Sequence, residues 1–507
     1  MSLADHLPIL PIVIPALAGP FALLVMRRRK ALGIAISLIS CLAMLATALA
    51  VMAVVSEGTI LSYAVGAWPA PFGIVVVADR LTGLMLVLTS VLALIALTHA
   101  VLTRADRKGW HFHPLFQFQL MGLNGAFLTG DLFNLFVFFE VLLIASYGLM
   151  LHGQGAARLK AGVQYVVVNL VGSSLFLIAL GLLYALTGTL NMADMGPRVA
   201  EVPTQDQGLL RIAGLLLTSV FALKAALAPL HLWLPRTYAA STPAVAALFA
   251  VMTKVGVHAL IRVVPQVFGD GAGAAAWVPA LWLYPAALVS ACIGFAGVFT
   301  ARGIAEQAAY AVIGSTGTLL VAVSGWSAAS LGAALYYLVH STLAGAALFL
   351  VADVIARRRG SYGDTAHAGP AFVGRGAAAL LFMAAAIAAT GLPPLSGFIG
   401  KLLILKAVAQ LPDWGWAWSV ILLTTLIAVV GFARSGSAVF WKVAEGDAPA
   451  EPTSAPRADF AGPVIALVLL AALSVGAGPA SAYADAAAAQ VLDPAQSATA
   501  VLKRGER

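Results

Sequence analysis

Six ionisable side chains lie inside stretches otherwise suited to hydrocarbon: Glu140 in FNLFVFFEVLLIASYGLM, Lys224 in FALKAALAPLHLWLP, Lys254 and His258 in VMTKVGVHALI, His340 in YYLVHSTLAGAALF and Lys401 in GFIGKLLILK. A charge at mid-bilayer costs about 2.5–3.5 kcal/mol even on insertion scales, so such groups are kept where they face one another or a wet cavity. The chemistry open to a carboxylate, three ammonium groups and two imidazoles in that setting is proton binding, release and relay. Glu140 is flanked by Phe139 and Val141 with no route to snorkel, so it needs a partner of opposite charge, and Lys224 is the candidate. That pair reads either as a static clamp between two helices or as part of a hydrated path. Pro229, five residues beyond Lys224, favours the second, because a purely structural pair does not require its backbone opened nearby.

Lys254 and His258 are four residues apart and share one helix face, which makes proton hand-over between them chemically reasonable. His258 and His340 each also read as buried histidines bonded to a neighbouring carbonyl. Lys401 lies seven residues past Pro394 in a span without an acidic residue, so it must face a cavity or a partner elsewhere. His231 and Arg236 read equally as a titratable entrance and as interfacial anchors. Asp131 in FLTGDLFNLF reads as a helix cap, and Asp79 and Asp353 as interface residues.

These residues must be positioned by membrane helices. Of 507 residues, 61% are hydrophobic and 10% charged, which leaves little surface to offer water and predicts an all-α polytopic membrane protein. The net charge of +8 is spread thinly over short loops, so topology explains it better than a nucleic-acid partner. Cys41 and Cys292 stand far apart in apolar runs, excluding a disulfide framework or a cysteine metal cluster, and read as small buried hydrophobes. No cofactor site, nucleotide-binding module or redox centre is expected. The first apolar run precedes its positive cluster and lacks a cleavage site, so it reads as a retained helix.

A span needs roughly 20 apolar residues, which predicts about fourteen, near 8–26, 31–55, 80–102, 113–130, 132–151, 161–187, 209–235, 243–264, 278–300, 304–325, 330–355, 375–411, 413–440 and 460–478. Arg27 to Lys30, Arg104, Arg107, Lys108, Arg158, Lys160, Arg236, Arg302, Arg357 to Arg359 and Lys442 then fall on one side. The loops 56–79 and 188–208 carry few or balanced charges, which places both termini on the outer face. Two spans contain helix-breaking runs, LAPL around Pro229 and GLPPLSG with Pro393 and Pro394. Recurrence of broken helices predicts two inverted five-helix repeats. The expected division is 1–112 for three N-terminal helices, 113–264 and 278–440 for the repeats, and 441–507 for the last helix and an Ala-rich outer tail.

The stretch KAALAPLHLWLPRTYAASTPAVAALFAVMTKVG, with GLNGAFLTGDLFNLFVFFEVLLIASYGLM and GLPPLSGFIGKLLI, resembles the antiporter-like subunits shared by respiratory complex I, membrane-bound hydrogenases and Mrp-type cation/proton antiporters. Over about residues 70 to 440 it looks most like the D-type subunit of Mrp, or Pha, antiporters. The resemblance implies that Glu140 and Lys224 form a coupling pair, that Lys254, His258 and His340 continue a hydrated axis, and that Lys401 is the terminal exchange residue. It further implies a non-enzymatic, proton-translocating subunit of a Na+ or K+/H+ antiporter, without cofactors, assembled with other Mrp subunits in the lipid bilayer of a bacterial inner membrane. The alternatives are a proton-pumping subunit of a redox complex and an assembly scaffold with a vestigial channel. Ala344 stands where some relatives carry a lysine, making the stretch between His340 and Lys401 sparser and dependent on water. No long lateral helix like that of the largest relatives is expected, which argues against this being the largest subunit.

Overall fold

The computed structural model describes residues 3–68, 70–442 and 457–502. Its chain opens with α1 (Leu10–Met26) and α2 (Lys30–Ser56), then a hairpin of β1 (Leu61–Ala64) and β2 (Val75–Ala78), then α3 (Arg80–Leu102). Next come α4 (Phe112–Leu128), α5 (Leu132–Met150), α6 (Ala156–Thr187), α7 (Met192–Ala200), α8 (Gln207–Lys224), α9 (Leu234–Ala240), α10 (Pro243–Phe249) and α11 (Met252–Phe268). The second half holds α12 (Leu283–Thr300), α13 (Ile304–Val323), α14 (Ala328–Arg358), α15 (Arg375–Thr390), α16 (Ser396–Val408) and α17 (Trp414–Gly436). The chain closes with α18 (Ala461–Val475), α19 (Ala477–Val491) and α20 (Pro494–Leu502).

Among the described residues, eleven helical stretches are long and apolar enough to cross a membrane. Three further expected spans fall on helices that are shorter or more polar: α4 with 17 residues, α13 with Glu306 and Gln307 in its first turn, and the α15–α16 pair. The buried helices are α10–α11 and α14, and it is on these that Lys254, His258 and His340 sit. The outward faces of α2, α6 and α17 are apolar, as lipid or a neighbouring chain demands.

Local chemistry sets the boundaries. Asp131 accepts from the Asn134 N–H at 2.8 Å and starts α5, as the sequence predicts. Asp79 caps α3 through Thr82, and Ser327 with Ser330 forms a capping box at α14. In α1, Pro15 has no N–H to offer the Pro11 carbonyl, and Asn124 of α4 supplies the missing donor at 2.8 Å.

Several connections differ from expectation. The weakly charged loop 56–79 forms an antiparallel hairpin with Leu61 opposite Ala78, so the protein is not wholly helical. The run Ile74–Val77 is β-branched and Val75 to Val77 are buried, which suits a pleated surface. The Ala-rich tail is α19, folded back against α14 and α3, and α20, which packs on α7 and β1. Ala484, Ala487, Ala488 and Val491 bury one face of α19, and Gln490 accepts from the Arg80 N–H at 3.1 Å. Cys41 is buried as expected, whereas Cys292 is exposed on the apolar outer face of α12. The expected last segment, 441–507, includes 443–456 and 503–507, which lie outside the described residues, as do residues 1 and 2 at the other terminus.

Candidate functional site

The two proline breaks are the same device used twice. After α8, Ala226 takes φ +55° and Leu227 donates its N–H to the Ala222 carbonyl, five residues back, at 2.9 Å. After α15, Gly391 takes φ +74° and Leu392 donates to Ile387, again five back, at 3.1 Å. A left-handed residue followed by this bond is the Schellman stop. The sequences align as Ala226-Leu227-Ala228-Pro229-Leu230 with Gly391-Leu392-Pro393-Pro394-Leu395, and Pro229 and Pro394 both follow cis peptide bonds. Ala226 holds the left-handed conformation with a Cβ, which disfavours it by about 1–2 kcal/mol. Ala226→Gly is therefore expected to raise the melting temperature of the solubilised protein, by about 1 kcal/mol of added stability, readable by thermal unfolding.

Each break presents a carbonyl-rich end next to a lysine. Lys224 is the last residue of α8 and is 7% exposed. Its Nζ donates to Asn169 Oδ1 of α6 at 3.1 Å, and a cavity of about 10 Å³, room for about one water, lies between it, Tyr165, Trp233 and Val255. Trp233 Nε1 takes up the Leu223 carbonyl at 3.1 Å. At the second break Lys401 Nζ donates to the Thr390 carbonyl at 2.8 Å and to Thr425 Oγ1 at 2.6 Å, and lies 5.2 Å from the Phe295 ring centre.

Glu140 and Lys224 do not touch. None of the six predicted residues forms an ion pair within 4.0 Å among the described residues. The Ser173 hydroxyl of α6 instead donates to Glu140 Oε1, and it also lies 3.0 Å from the Asn169 carbonyl. A hydroxyl has a single proton to give. Glu140–Ser173 and Asn169–Lys224 are thus two hydrogen-bonded pairs across three helices, joined through α6, where Ser173 and Asn169 lie four residues apart. Glu140 itself is half-buried, on the α5 stripe that carries exposed Phe133, Val137 and Ile144.

Lys254 is fully buried, its Nζ within 3.2 Å of Thr253 Oγ1 and 3.4 Å of Thr316 Oγ1 on α13. The helix carrying it is interrupted between α10 and α11 at Ala250 and Val251, just ahead of the lysine, an interruption with no proline or glycine at the break. His340 Nδ1 is 2.9 Å from Ser396 Oγ at the start of α16. A second cavity of about 10 Å³ is lined by His340, Ser315, Ser341 and Ala344. Ser315 precedes the threonine that bonds Lys254, so the cavity lies on the His340 side of Lys254, and the small Ala344 side chain forms part of its wall. His258 does not bond Lys254. Its ring lies edge-on to Phe127 at 5.0 Å, and the charges facing it are Arg262 and Asp79.

Two glycines set the spacing of this row. A Cβ on Gly256 of α11 would lie 2.5 Å from both the Ala225 nitrogen and the Phe221 carbonyl of α8, at the level of Lys224. A Cβ on Gly397 would lie 2.7 Å from His340 Nε2. Asn169, Ser173, Thr316, Ser396, Thr390 and Thr425 escape the sequence reading, although Asn169 and Ser173 recur at i and i+4 in an apolar span.

The family described as NADH:quinone oxidoreductase/Mrp antiporter, TM, matches residues 129–429, the stretch that contains both breaks and all six ionisable residues. The chain belongs to this family. Among curated members it is 40% identical over 527 residues to the D-type subunit of the probable K(+)/H(+) antiporter of Rhizobium meliloti (strain 1021), covering 97% of this chain and 96% of that one. It is 34% identical over 502 residues to the D-type subunit of the Na(+)/H(+) antiporter of Alkalihalophilus pseudofirmus (strain ATCC BAA-2126 / JCM 17055 / OF4), with 98% and 100% covered. Among solved structures it matches a chain of the Mrp complex from Dietzia sp. DQ12-45-1b with TM-score 0.86 and 28% identity, over 99% and 100% of the two chains. A chain of respiratory complex I from Thermus thermophilus shares the fold, with TM-score 0.75 and 23% identity over 96% and 100%. The Mrp-family chain is therefore a multi-pass membrane protein.

Proposed function

We propose that this chain is the proton-translocating subunit of a multisubunit Na+ or K+/H+ antiporter, embedded with other Mrp subunits in a bacterial inner membrane with both termini outside. The observation that carries the reading is the row of buried lysines, 224, 254 and 401, each held by neutral oxygens with no carboxylate in contact among the described residues. Static charges at such depth would be paired, whereas a group that gains and loses a proton is best held by partners that tolerate both states. The relatives named as antiporter subunits over nearly the full chain favour this over a redox-complex subunit. The repeats at 113–264 and 278–440 give the row its two halves, one broken helix in each.

The mechanism is a change of pairing. With Glu140 ionised, the Ser173 hydroxyl donates a hydrogen bond to it, and Asn169 holds Lys224 within electrostatic reach of that carboxylate. Protonating Glu140 releases the Ser173 hydroxyl to the Asn169 carbonyl and removes the charge that favours Lys224 as an ammonium. Lys224 then gives up a proton through the small cavity beside Val255 toward Lys254. From Lys254 the path runs by Thr316 and the Ser315–Ala344 cavity to His340, Ser396 and Lys401.

The test is a joint measurement of proton, sodium and potassium fluxes by the reconstituted complex. Lys254→Ala is expected to lower cation-dependent proton flux at least tenfold with the complex still assembled. Undiminished flux per complex sinks the reading.

A further inference from the structure

Lys254, His258 and Arg262 recur every four residues along α11, so they form one polar stripe about 12 Å long, at 1.5 Å per residue. Lys254 belongs to the central row, but the stripe leaves that row and runs toward the loop 56–79 face. His258 is 2% exposed, its Nε2 has no partner among the described residues, and Phe127 closes one side of its ring. One turn further, Arg262 Nη1 bonds Asp79 Oδ2, while its Nη2 reaches Asp79 Oδ1 at 2.8 Å and Thr82 Oγ1 at 3.1 Å. Thr82 Oγ1 is in turn 3.2 Å from the Phe127 carbonyl, so the ion pair and the ring that covers His258 share one support. Burial pushes the Asp79 carboxyl up, but Arg262 and the Thr82 bonds outweigh it and hold the group at about 2. Asp79 is thus a fixed anion at neutral pH. Beyond Arg262, Pro265, Gln266 and Gly269 line a partly open cavity of about 240 Å³, with Ala193, Pro494 and Ala498 on its other side.

We propose that α11 carries a proton branch to the outer face, in which His258 takes the proton from Lys254, the Arg262–Asp79 pair is the gate, and the cavity beside Gln266 is the outer vestibule. The branch rests on the transport reading given above. A guanidinium keeps its proton, so Arg262 is not a carrier; its positive charge repels a hydrated proton while it points at His258, and Asp79 draws it aside. The last carrier before the gate is then the imidazole, whose free nitrogen is where the proton binds. The same pair also ties α3 to α11, and a tie alone predicts loss of protein without loss of flux per complex.

The experiment uses the whole complex in inverted vesicles from a host without its own antiporters, with flux normalised to assembled complex. His258→Gln is expected to lower cation-dependent proton flux at least tenfold, and Arg262→Gln to raise cation-independent proton leak at least fivefold. Wild-type flux and leak in both overturn the branch. If Glu140→Ala abolishes flux while these two do not, the branch falls and the transport reading stands; if all three transport normally, that reading falls as well. A second measurement needs no change at the gate: with Cys292→Ser as background, Gln266→Cys is expected to react with a charged maleimide added from the outer side only. No reaction, or equal reaction from both sides, overturns the vestibule.

Discussion

Lys224→Ala is expected to leave the complex assembled and without measurable cation-dependent proton flux, a loss of at least a hundredfold. Lys224 is the joint between two systems. On one side it hangs from Asn169, which shares α6 with the serine that reads the state of Glu140. On the other it lines the water-sized cavity that reaches Val255, one residue beyond Lys254. Removing the ammonium leaves Glu140 with no mobile proton to direct, and alanine reaches neither Asn169 Oδ1 nor the cavity beside Val255. Glu140→Ala is expected to match it, because the Ser173 hydroxyl then stays on the Asn169 carbonyl and Lys224 loses the charge that sets its affinity for a proton. Asn169→Leu separates the link through α6 from the direct pair. It removes a hydrogen bond to a charged group, worth about 1.5–3 kcal/mol, so flux falls roughly tenfold or more with both charges intact. Full flux in Asn169→Leu alongside loss in Lys224→Ala would show that the two charges couple through space without the α6 bridge.

That link through α6 also marks the limit of what the sequence reveals. Hydropathy fixes which residues lie at membrane depth, because lipid permits little besides apolar helix. It says nothing of which side chains face one another, so Glu140 and Lys224 read as a direct pair when each instead bonds a side chain of α6. The prolines made both breaks legible, and the alignment of Ala226-Leu227 with Gly391-Leu392 explains why both lysines lie near a helix end. The interruption before Lys254 has no such signal: no proline or glycine lies between Ala244 and Val255. Lys254 and His258 share a face as their spacing requires, yet they serve different neighbours, because α13 meets one end of that face and α3 the other. Arg262 and Asp79 pass as an unremarked residue and an interface residue until packing brings them together across 183 positions of chain.

Gly256→Leu is expected to have the largest effect on the folded protein. Helices α8 and α11 cross backbone to backbone at this residue, where even a methyl carbon would lie 2.5 Å from the Ala225 nitrogen and the Phe221 carbonyl oxygen. The colliding atoms are backbone at the end of α8, and they cannot swing aside as a side-chain tip can. Overpacking costs about 1–3 kcal/mol where neighbours yield, and a full leucine at a backbone contact exceeds that range, so little assembled complex is expected. The informative variant is Gly256→Ala. It is expected to lower thermal stability by about 1–3 kcal/mol and to widen the crossing where the cavity joins Lys224 to α11, so that flux per assembled complex falls further than the protein yield. Gly181 on α6 is the control, with nothing within 4 Å of its would-be Cβ; there alanine is the better helix former and stability is held or raised by about 0.5–1 kcal/mol. Equal behaviour of Gly181→Ala and Gly256→Ala in thermal unfolding and in flux would mean that the two helices do not meet as closely as this, and the short path from Lys224 to Lys254 would lose its physical basis.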